Sequence, residues 1–443
     1  MSWKTGLRRD PAGFYRLHTE QGEVRLFLTD GLLAELEEGL GEQIRNARRF
    51  PGVLDVAITP DAHTGYGVPV GCVMATSGTL AMGPVGYDIG CGVAALSSRV
   101  ARDQATPERV KAFSRQVMRR VGLGMGSRGQ PVSDVRFQEL VRGGAEALGM
   151  SRGSAERDRI PVEDGWDIPK QSRAWRGQNQ IGSLGGGNHF IELQHDGERL
   201  WVMFHTGSRG FGHGLASYYF ELAREELRLA RGQMDLGYFR PESRHWNDYK
   251  NAVAAGGNYA IANRLTIGRE VAAAFAETFA EEPELVYEIS HNLVQEERHP
   301  DLFPRPVWIH RKGATRALPA GHPMLAGTRW EKTGHPVLIP GSMGDFSYLL
   351  RPRQGAARAL YSVNHGCGRR KSRSAARREI SQAEADRRMR ELGVVVNAGG
   401  RVPVDESPAC YKPAEEVVRA VSEAGLAEVE VRLSPIASIK GND

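Results

Sequence analysis

The stretch GPVGYDIGCGVAAL, Gly83 to Leu96, sets four glycines around one aspartate and one cysteine. Glycine reaches backbone conformations that other residues avoid, and it weakens helices and strands. The chain is therefore expected to bend here before entering the apolar run that follows. A buried structural cysteine fits better inside a strand or helix. A metal ligand or a nucleophile fits this loop, and Asp88 stands three residues before Cys91. The other cysteines, Cys72, Cys367 and Cys410, form no CxxC pair and no dense framework. Reduced thiols in a cytosolic compartment are the expectation.

A chain of 443 residues can form one large or two ordinary domains, each with a real core. Its 40% apolar and 25% charged residues are those of a soluble globular protein. The formal charge of +5 permits a polyanionic partner without demanding one. Arginine dominates the basic side, and its planar donor fork suits phosphate. The opening MSWKTGLRRDPAGFYRL has no apolar core of a signal peptide, and no run of eighteen apolar residues occurs. The expectation is a cytoplasmic protein without a membrane span.

Residues 22–30, GEVRLFLTD, alternate as a strand does, and Leu33, Leu36, Leu40 and Ile44 recur at helical spacing. Thr106-Pro107-Glu108 starts a helix with Thr as cap, whose buried face is Val110, Phe113, Val117 and Val121. Residues 122–178 are polar, rich in Gly and Arg and weakly periodic, and read as loops inserted over the surface. GSLGGGNHFIELQ and LWVMFHTGSRG read as a glycine loop running into strands, the second ending at His205. Residues 214–230 and 250–280 read as helices, and YEISHNLVQEE as a helix-to-loop change carrying His291. PVWIHRKGATRAL and HPVLIPGSMGDFSYLL read as strands and turns, and VNHGCGRRKSRSAARR as a glycine turn before a basic run. Ser381 caps a short helix, Pro413 starts another, and EVEVRL is a late strand. No repeat or low-complexity linker divides the chain, so one mixed domain over residues 1–443 is expected.

Three of the thirteen histidines stand where apolar segments meet loops: His189 in GGGNHFIEL, His205 in VMFHTGSRG and His291 in EISHNLV. With Asp88 and Cys91 they form a set of N, S and O donors able to hold one or two metal ions. Each alone reads more readily as a satisfied core or loop histidine, the set together reads equally well as ligands, and spacing does not bring them together. A thiolate donor favours zinc, whereas a carboxylate facing phosphates favours manganese or magnesium. Residue types alone give zinc.

His365, in VNHGCGRRK, has glycines one and three positions on, with Arg369 next. Glycine lets a ligand approach the backbone, and Arg can fork onto phosphate oxygens. A neutral imidazole nitrogen placed there can attack phosphorus and form a phosphoramidate. The plain alternative is a turn histidine beside a solvated patch. Cys367 makes a His-x-Cys metal site conceivable, but the glycines suit ligand approach better. Arg369, Arg370, Lys371, Arg373, Arg377 and Arg378 form a run with no acid inside it. Such a run tracks a nucleic-acid backbone or is simply a solvated face. GMGSRG, from Gly124, matches GxGxxG but follows a helix rather than a strand, which fails the context of a dinucleotide site. No GxxxxGK[ST] occurs, so any use of a nucleoside triphosphate takes another route.

GYDIGCG, GSLGGGNHFIEL, HTGSRG, SHN, HRKGATRA, PGSMG, HGCGR and the terminal IKG resemble, in this order, the motifs of the RtcB family of RNA-splicing ligases, from about residue 55 onward. The resemblance implies an α+β fold, a single large mixed domain with β-sheets around a central dimetal pocket and helices outside. It implies two Mn2+ ions held by Asp88, Cys91, His189, His205 and His291, with Cys91 bridging both. His365 is then the residue that takes GMP from GTP. Guanine-nucleotide contacts are expected from Asn188, Glu192, Asn292, Pro340, Gly341, Ser342, Met343, Ser347, Gly366, Cys367, Gly368 and Lys440. The implied substrates are RNA 3′-phosphate or 2′,3′-cyclic phosphate ends and 5′-hydroxyl ends, in tRNA splicing or RNA repair. Arg369, Arg370 and Lys371 are the candidate RNA contacts. An activating partner of the archease type is an open question. The chain departs from the family pattern at Cys367, where a small residue is expected, at Tyr87, where a β-branched residue is common, and over 122–178.

Three other functions share some of these residues. A capping enzyme would leave GMP on a 3′-phosphate end of RNA or DNA. A metal-dependent phosphodiesterase would use no nucleotide, and His365 would be dispensable. A binding protein without catalysis would have no reason to keep every ligand and the nucleophile.

Overall fold

The apolar run after Cys91 becomes a central strand, Gly92–Ala101, of an eight-stranded sheet. The structure, a computed structural model, describes residues 2–154 and 158–441. In spatial order that sheet runs Glu284–Ser290, Gly92–Ala101, Arg199–Thr206, Phe190–His195, Ala427–Ile439, Ser347–Pro352 and Val337–Ile339. These neighbours are antiparallel, and Val395–Val396 adds a short parallel pairing to Ala427–Ile439. A seven-stranded sheet runs Leu7–Asp10, Phe14–Thr19, Gly22–Leu26, Val53–His63, Val70–Thr76, Val307–Lys312 and Asn292–Glu297. The chain steps from one sheet to the other across a single residue, His291, between Ser290 and Asn292. The result is a mixed α+β single domain.

The 34-residue helix Trp246–Phe279 is buried along most of its length. Its apolar residues pack on both sides, with Phe275 and Phe279 against Phe113 and with Tyr259 against Phe137 and Phe211. Asn251, Asn258, Asn263 and Arg264 on it are also buried, and they bond to backbone and to other side chains rather than to solvent, as buried polar groups must. Asn263 donates to the carbonyls of Ser183 and Gly207 and accepts from the amide of Gly182. No helix of the described residues is long and apolar enough to cross a membrane.

Several expectations hold in detail. The helix Pro107–Arg120 is capped by Thr106, and Val110, Phe113 and Val117 are buried. Ser381 caps Gln382–Glu391, Pro413 precedes Ala414–Glu423, and EVEVRL lies within Ala427–Ile439. Others need correction. The strand at residue 22 ends at Leu26, because Thr29 caps a new helix, Asp30–Glu35, by accepting from the amide of Leu32. The periodic run from Leu33 to Ile44 is broken by an extended Leu36 into that helix and Leu40–Arg49. Residues 122–178 are not only loops. Ser133 caps the helix Asp134–Ala147, whose Phe137, Leu140 and Val141 pack against the long helix; Gly144, at φ 51°, interrupts the pattern. YEISHNLVQEE is strand on both sides of His291, and Glu288 obscures this because it is an acid buried among apolar neighbours. The helix expected over 214–230 begins earlier, as Arg209–Glu226.

Candidate active site

Four of the five proposed ligands sit at one end of four adjacent strands. In register, Gly92 lies opposite both Thr206 and Ser290, and His205 lies opposite Phe190. Cys91 precedes the first of these strands, His291 follows another, His205 is the penultimate residue of a third, and His189 precedes the fourth. Antiparallel pairing turns all four toward the same edge. A backbone bond from the amide of His291 to the carbonyl of Cys91, 2.7 Å, ties two of them directly. Asp88 enters from the glycine turn, where the amide of Cys91 donates to its carbonyl at 3.1 Å. Gly90 makes this turn possible: its φ is +74°, and a Cβ there would lie 2.7 Å from the Cα of Gly257 on the long helix.

The donor atoms converge. Cys91 Sγ lies 3.1 Å from His205 Nε2 and 3.3 Å from His189 Nε2, and Asp88 Oδ2 lies 3.2 Å from His189 Nε2. His189 Nδ1 donates to the Leu184 carbonyl at 2.9 Å, and His205 Nδ1 to the Asn188 carbonyl at 3.2 Å. Each ring is thereby held in the tautomer that leaves an Nε2 lone pair facing the cluster. His205 Nε2 and His291 Nε2 approach to 3.1 Å, a distance that calls for a shared proton or a cation. Burial drives His205 and His291 well below the ordinary histidine value, and neighbouring imidazoles add to this. Burial drives the Cys91 thiol far up, and the Asp88 charge adds to it. Burial also opposes charge on Asp88, but His189 in its doubly protonated form, through its hydrogen bond and charge, and Arg209 outweigh it and hold the carboxyl below its usual range; the neutral His189 with a free Nε2 is the form that can ligate a metal. A divalent cation reverses the cost at Cys91 by binding the thiolate. The donors Cys91, His189 and His205, mutually within 4.8 Å, with Asp88 and His291 adjoining, fit a metal centre.

His365 follows the strand Ser362–Asn364 and stands beside this cluster, its ring centroid 4.5 Å from that of His291 and 6.3 Å from that of His205. Its Nδ1 lies 2.7 Å from both Asp61 Oδ2 and the Gly313 carbonyl. Both are acceptors, so Nδ1 carries the proton and Nε2 carries the lone pair. Asp61 is fully buried and also accepts from Thr59 Oγ1 at 2.6 Å, which fixes the carboxylate that fixes the ring.

A cavity of about 340 Å³ joins these groups, a volume in the range of small-ligand sites. Its walls include Asp88, Cys91, His205, His291 and His365. They also include Asn188, Glu192, Asn292, the run from Pro340 to Met343, Gly366, Cys367, Gly368, Arg369 and Lys440. Ser347 stands behind the wall, where its hydroxyl accepts from the amide of Gly341 at 3.1 Å and from Gln194 at 2.9 Å. His189 touches the cluster from outside the lining. Burial pushes the Glu192 carboxyl up to about 7, with Lys440 and hydrogen bonds from Gln194 and Ser438 opposing. Arg369 bonds to Glu406 and the Asp405 carbonyl, while Arg370 pairs with Glu35 and Lys371 with Glu379, outside the lining.

Sequence reasoning missed Asp61 and Arg264. Arg264 Nη1 donates to the carbonyls of Gly90, 2.6 Å, and Thr206, 3.1 Å, and Nη2 to Ser290 Oγ, 2.7 Å. One guanidinium thus pins the residues adjoining Cys91, His205 and His291. Glu288, fully buried, pairs with both Arg264 and Arg152 and offsets part of their charge. The signal for Arg264 was a lone cation in the apolar run AIANRLTIG, and that for Asp61 was an acid in the apolar strand before HTGYG.

A sequence model of the family described as tRNA-splicing ligase RtcB matches residues 43–441. The tRNA-splicing ligase RtcB of Thermococcus kodakarensis is 34% identical, with 94% of each chain covered. That of Nanoarchaeum equitans is 33% identical over 94% of this chain and 95% of the relative. The RNA-splicing ligase RtcB of Mycobacterium tuberculosis is 36% identical over 90% of this chain and all of the relative. The converging donors, the adjacent histidine and these matches along nearly the whole sequence agree: the chain belongs to the RtcB family of tRNA-splicing ligases.

Proposed function

We propose that this chain is a GTP-dependent RNA ligase that joins a 3′-phosphate or 2′,3′-cyclic phosphate end to a 5′-hydroxyl end through GMP on His365, in tRNA splicing or RNA repair. The observation that carries it is one cavity holding an imidazole fixed with a free Nε2 beside four metal-type donors, with His189 adjoining them from behind the lining. In the first step, His365 Nε2 attacks the α-phosphorus of GTP. The N–P bond forms, the bond to the β-phosphate oxygen breaks, and pyrophosphate leaves. Asp61 and the Gly313 carbonyl hold the Nδ1 proton and offset the positive charge that the ring acquires. An RNA 3′-phosphate oxygen then attacks the same phosphorus, and the ring leaves with its lone pair restored. Finally the 5′-hydroxyl attacks the RNA phosphorus, and GMP departs as the phosphodiester forms. A cyclic phosphate is opened by water beforehand.

Asp88, Cys91, His189, His205 and His291 would hold two manganese ions. Bound metal would neutralise phosphate charge as a Lewis acid. The guanine end of the cavity is assigned to Asn188, Glu192, Asn292, Pro340 to Met343, Gly366 to Gly368 and Lys440, with Ser347 supporting Gly341. A carboxylate such as Glu192 suits the adjacent N–H donors of guanine. Arg369, Arg370 and Lys371 flank the RNA path, residues 1–443 act as one ligase unit, and the setting is cytoplasmic. An archease-type activator is a partner to test by addition. The experiment supplies GTP, manganese and RNAs with 3′-phosphate and 5′-hydroxyl ends, and a joined strand is expected. A strand that keeps a 3′ GMP cap and is never joined would replace ligation by capping, and GTP-independent cleavage would overturn the reading.

A further inference from the structure

We propose that the ring of Tyr66 is a platform on which the terminal nucleobase of an RNA end stacks as its phosphate enters the active-site cavity; this rests on the RNA ligase reading above. Tyr66 is 66% exposed, yet it lines the same cavity as Asp88, Cys91 and His365. Among the described residues with large, exposed apolar side chains, it is the only aromatic one and the only one on that lining.

The ring is braced rather than loose. It packs edge-to-face with Tyr87, centroids 5.8 Å apart at 84°. Tyr87 in turn stacks on Phe220 at 4.6 Å and on His213 at 5.4 Å, and its hydroxyl reaches Asp235 at 3.2 Å. The Tyr66 backbone carbonyl accepts from buried Lys312 Nζ at 2.7 Å and from the amide of Val68 at 2.8 Å. A fixed aromatic side chain with so much open surface, next to a phosphate-handling site, has the form of a base-stacking platform.

Asn188, Glu192 and Lys440 of the lining present donors and acceptors that can read a base edge. Tyr66 itself adjoins Tyr87 and Lys312, which already bonds to the carbonyls of Tyr66 and Val68, and the lining also holds the apolar Val70 and Val85 and the ring of His63. Stacking without edge reading accepts any base, which a ligase acting on varied ends requires.

The test measures equilibrium binding of short RNAs by fluorescence anisotropy, with an intact or an abasic terminal nucleoside at the 3′-phosphate end or at the 5′-hydroxyl end. The proteins are the wild type and Tyr66→Ala, Tyr66→Phe and Tyr66→Trp, each with its melting temperature measured. Tyr66→Ala is expected to weaken binding of intact RNA by about tenfold or more. The abasic change at one end is expected to weaken wild-type binding by a like factor and to have no further effect in Tyr66→Ala. Phe and Trp restore binding, and the end that shows the coupling is the one seated on Tyr66. Independent, multiplying losses would overturn the assignment, as would failure of both Phe and Trp to rescue. A raised GTP KM with RNA binding unchanged would place the guanine of GTP there instead and also overturn it. Joining of the intact RNAs by wild type is scored separately, so failure of the ligase reading and failure of the platform are distinguishable. If Tyr66→Ala does not fold, the wild-type comparison of intact and abasic ends decides, and equal affinities overturn the proposal.

Discussion

Replacing Asp61 by Asn keeps the shape of the buried side chain and removes its charge. The amide oxygen can still accept from His365 Nδ1, and the Gly313 carbonyl still holds that proton from the other side. The tautomer with a free Nε2 therefore survives. What is lost is a charge-assisted bond at 2.7 Å to a ring that turns cationic when phosphorus bonds to Nε2. Hydrogen bonds to charged groups contribute about 1.5–3 kcal/mol, so guanylylation should slow by roughly 10- to 150-fold. Because Asp61 does not line the cavity, the GTP concentration giving half the maximal rate should barely change. The assay is single-turnover incorporation of label from α-³²P-GTP over a range of GTP concentrations, with a melting temperature to confirm folding. A rate within twofold of wild type would refute the role given to Asp61. A loss that fell wholly on GTP affinity would refute it as well.

Arg264→Met leaves fully buried Glu288 with Arg152 as its remaining cationic partner and frees the carbonyls of Gly90 and Thr206. Breaking such a buried pair costs about 3–5 kcal/mol, so the metal-free melting temperature should fall. Loss of this orientation should also weaken manganese or zinc binding by about 10- to 100-fold, read by equilibrium dialysis; unchanged affinity would show that the ligands hold themselves. Cys91→Ser should lower metal stoichiometry or affinity. In the wild type, where burial holds the thiol protonated without metal, binding should release a proton and weaken as pH falls. Glu192, raised from 4.5 to about 7 by burial, leaves stability whole below about pH 4.5 and lowers it as pH rises to about 7. The span of about 2.5 units is worth roughly 3 kcal/mol. Glu192→Gln should thus melt higher than wild type at pH 8 but near it at pH 4.5, while losing guanine-nucleotide binding.

The candidate site residues were legible because glycine and polar residues at strand ends mark a site whatever the pairing. Asp88, Cys91, His189, His205 and His291 stood in such places, and the sheet register then gathered them. The register itself was not legible. Strand order depends on contacts between segments as far apart as Gly92 and Ser290, and no local pattern encodes them. The reading of YEISHNLVQEE as a helix-to-loop change traces to Glu288, an acid buried in a strand because it pairs with Arg264 and Arg152. Such a group disguises a buried element as a surface one. The helix Asp134–Ala147 was hidden by glycines at 143 and 144, although Phe137, Leu140 and Val141 kept its spacing. Asp61 carries no local sign of its role because its partner, His365, lies 304 residues away.

The proposed reaction turns on His365 carrying GMP. The most direct measurement is incubation of the protein with α-³²P-GTP and manganese, followed by a denaturing gel and mapping of the labelled peptide, with His365→Ala alongside. Label is expected on wild type, located at His365, and none on the variant. Equal labelling of the variant, or no labelling of wild type with manganese, zinc or magnesium, would contradict it.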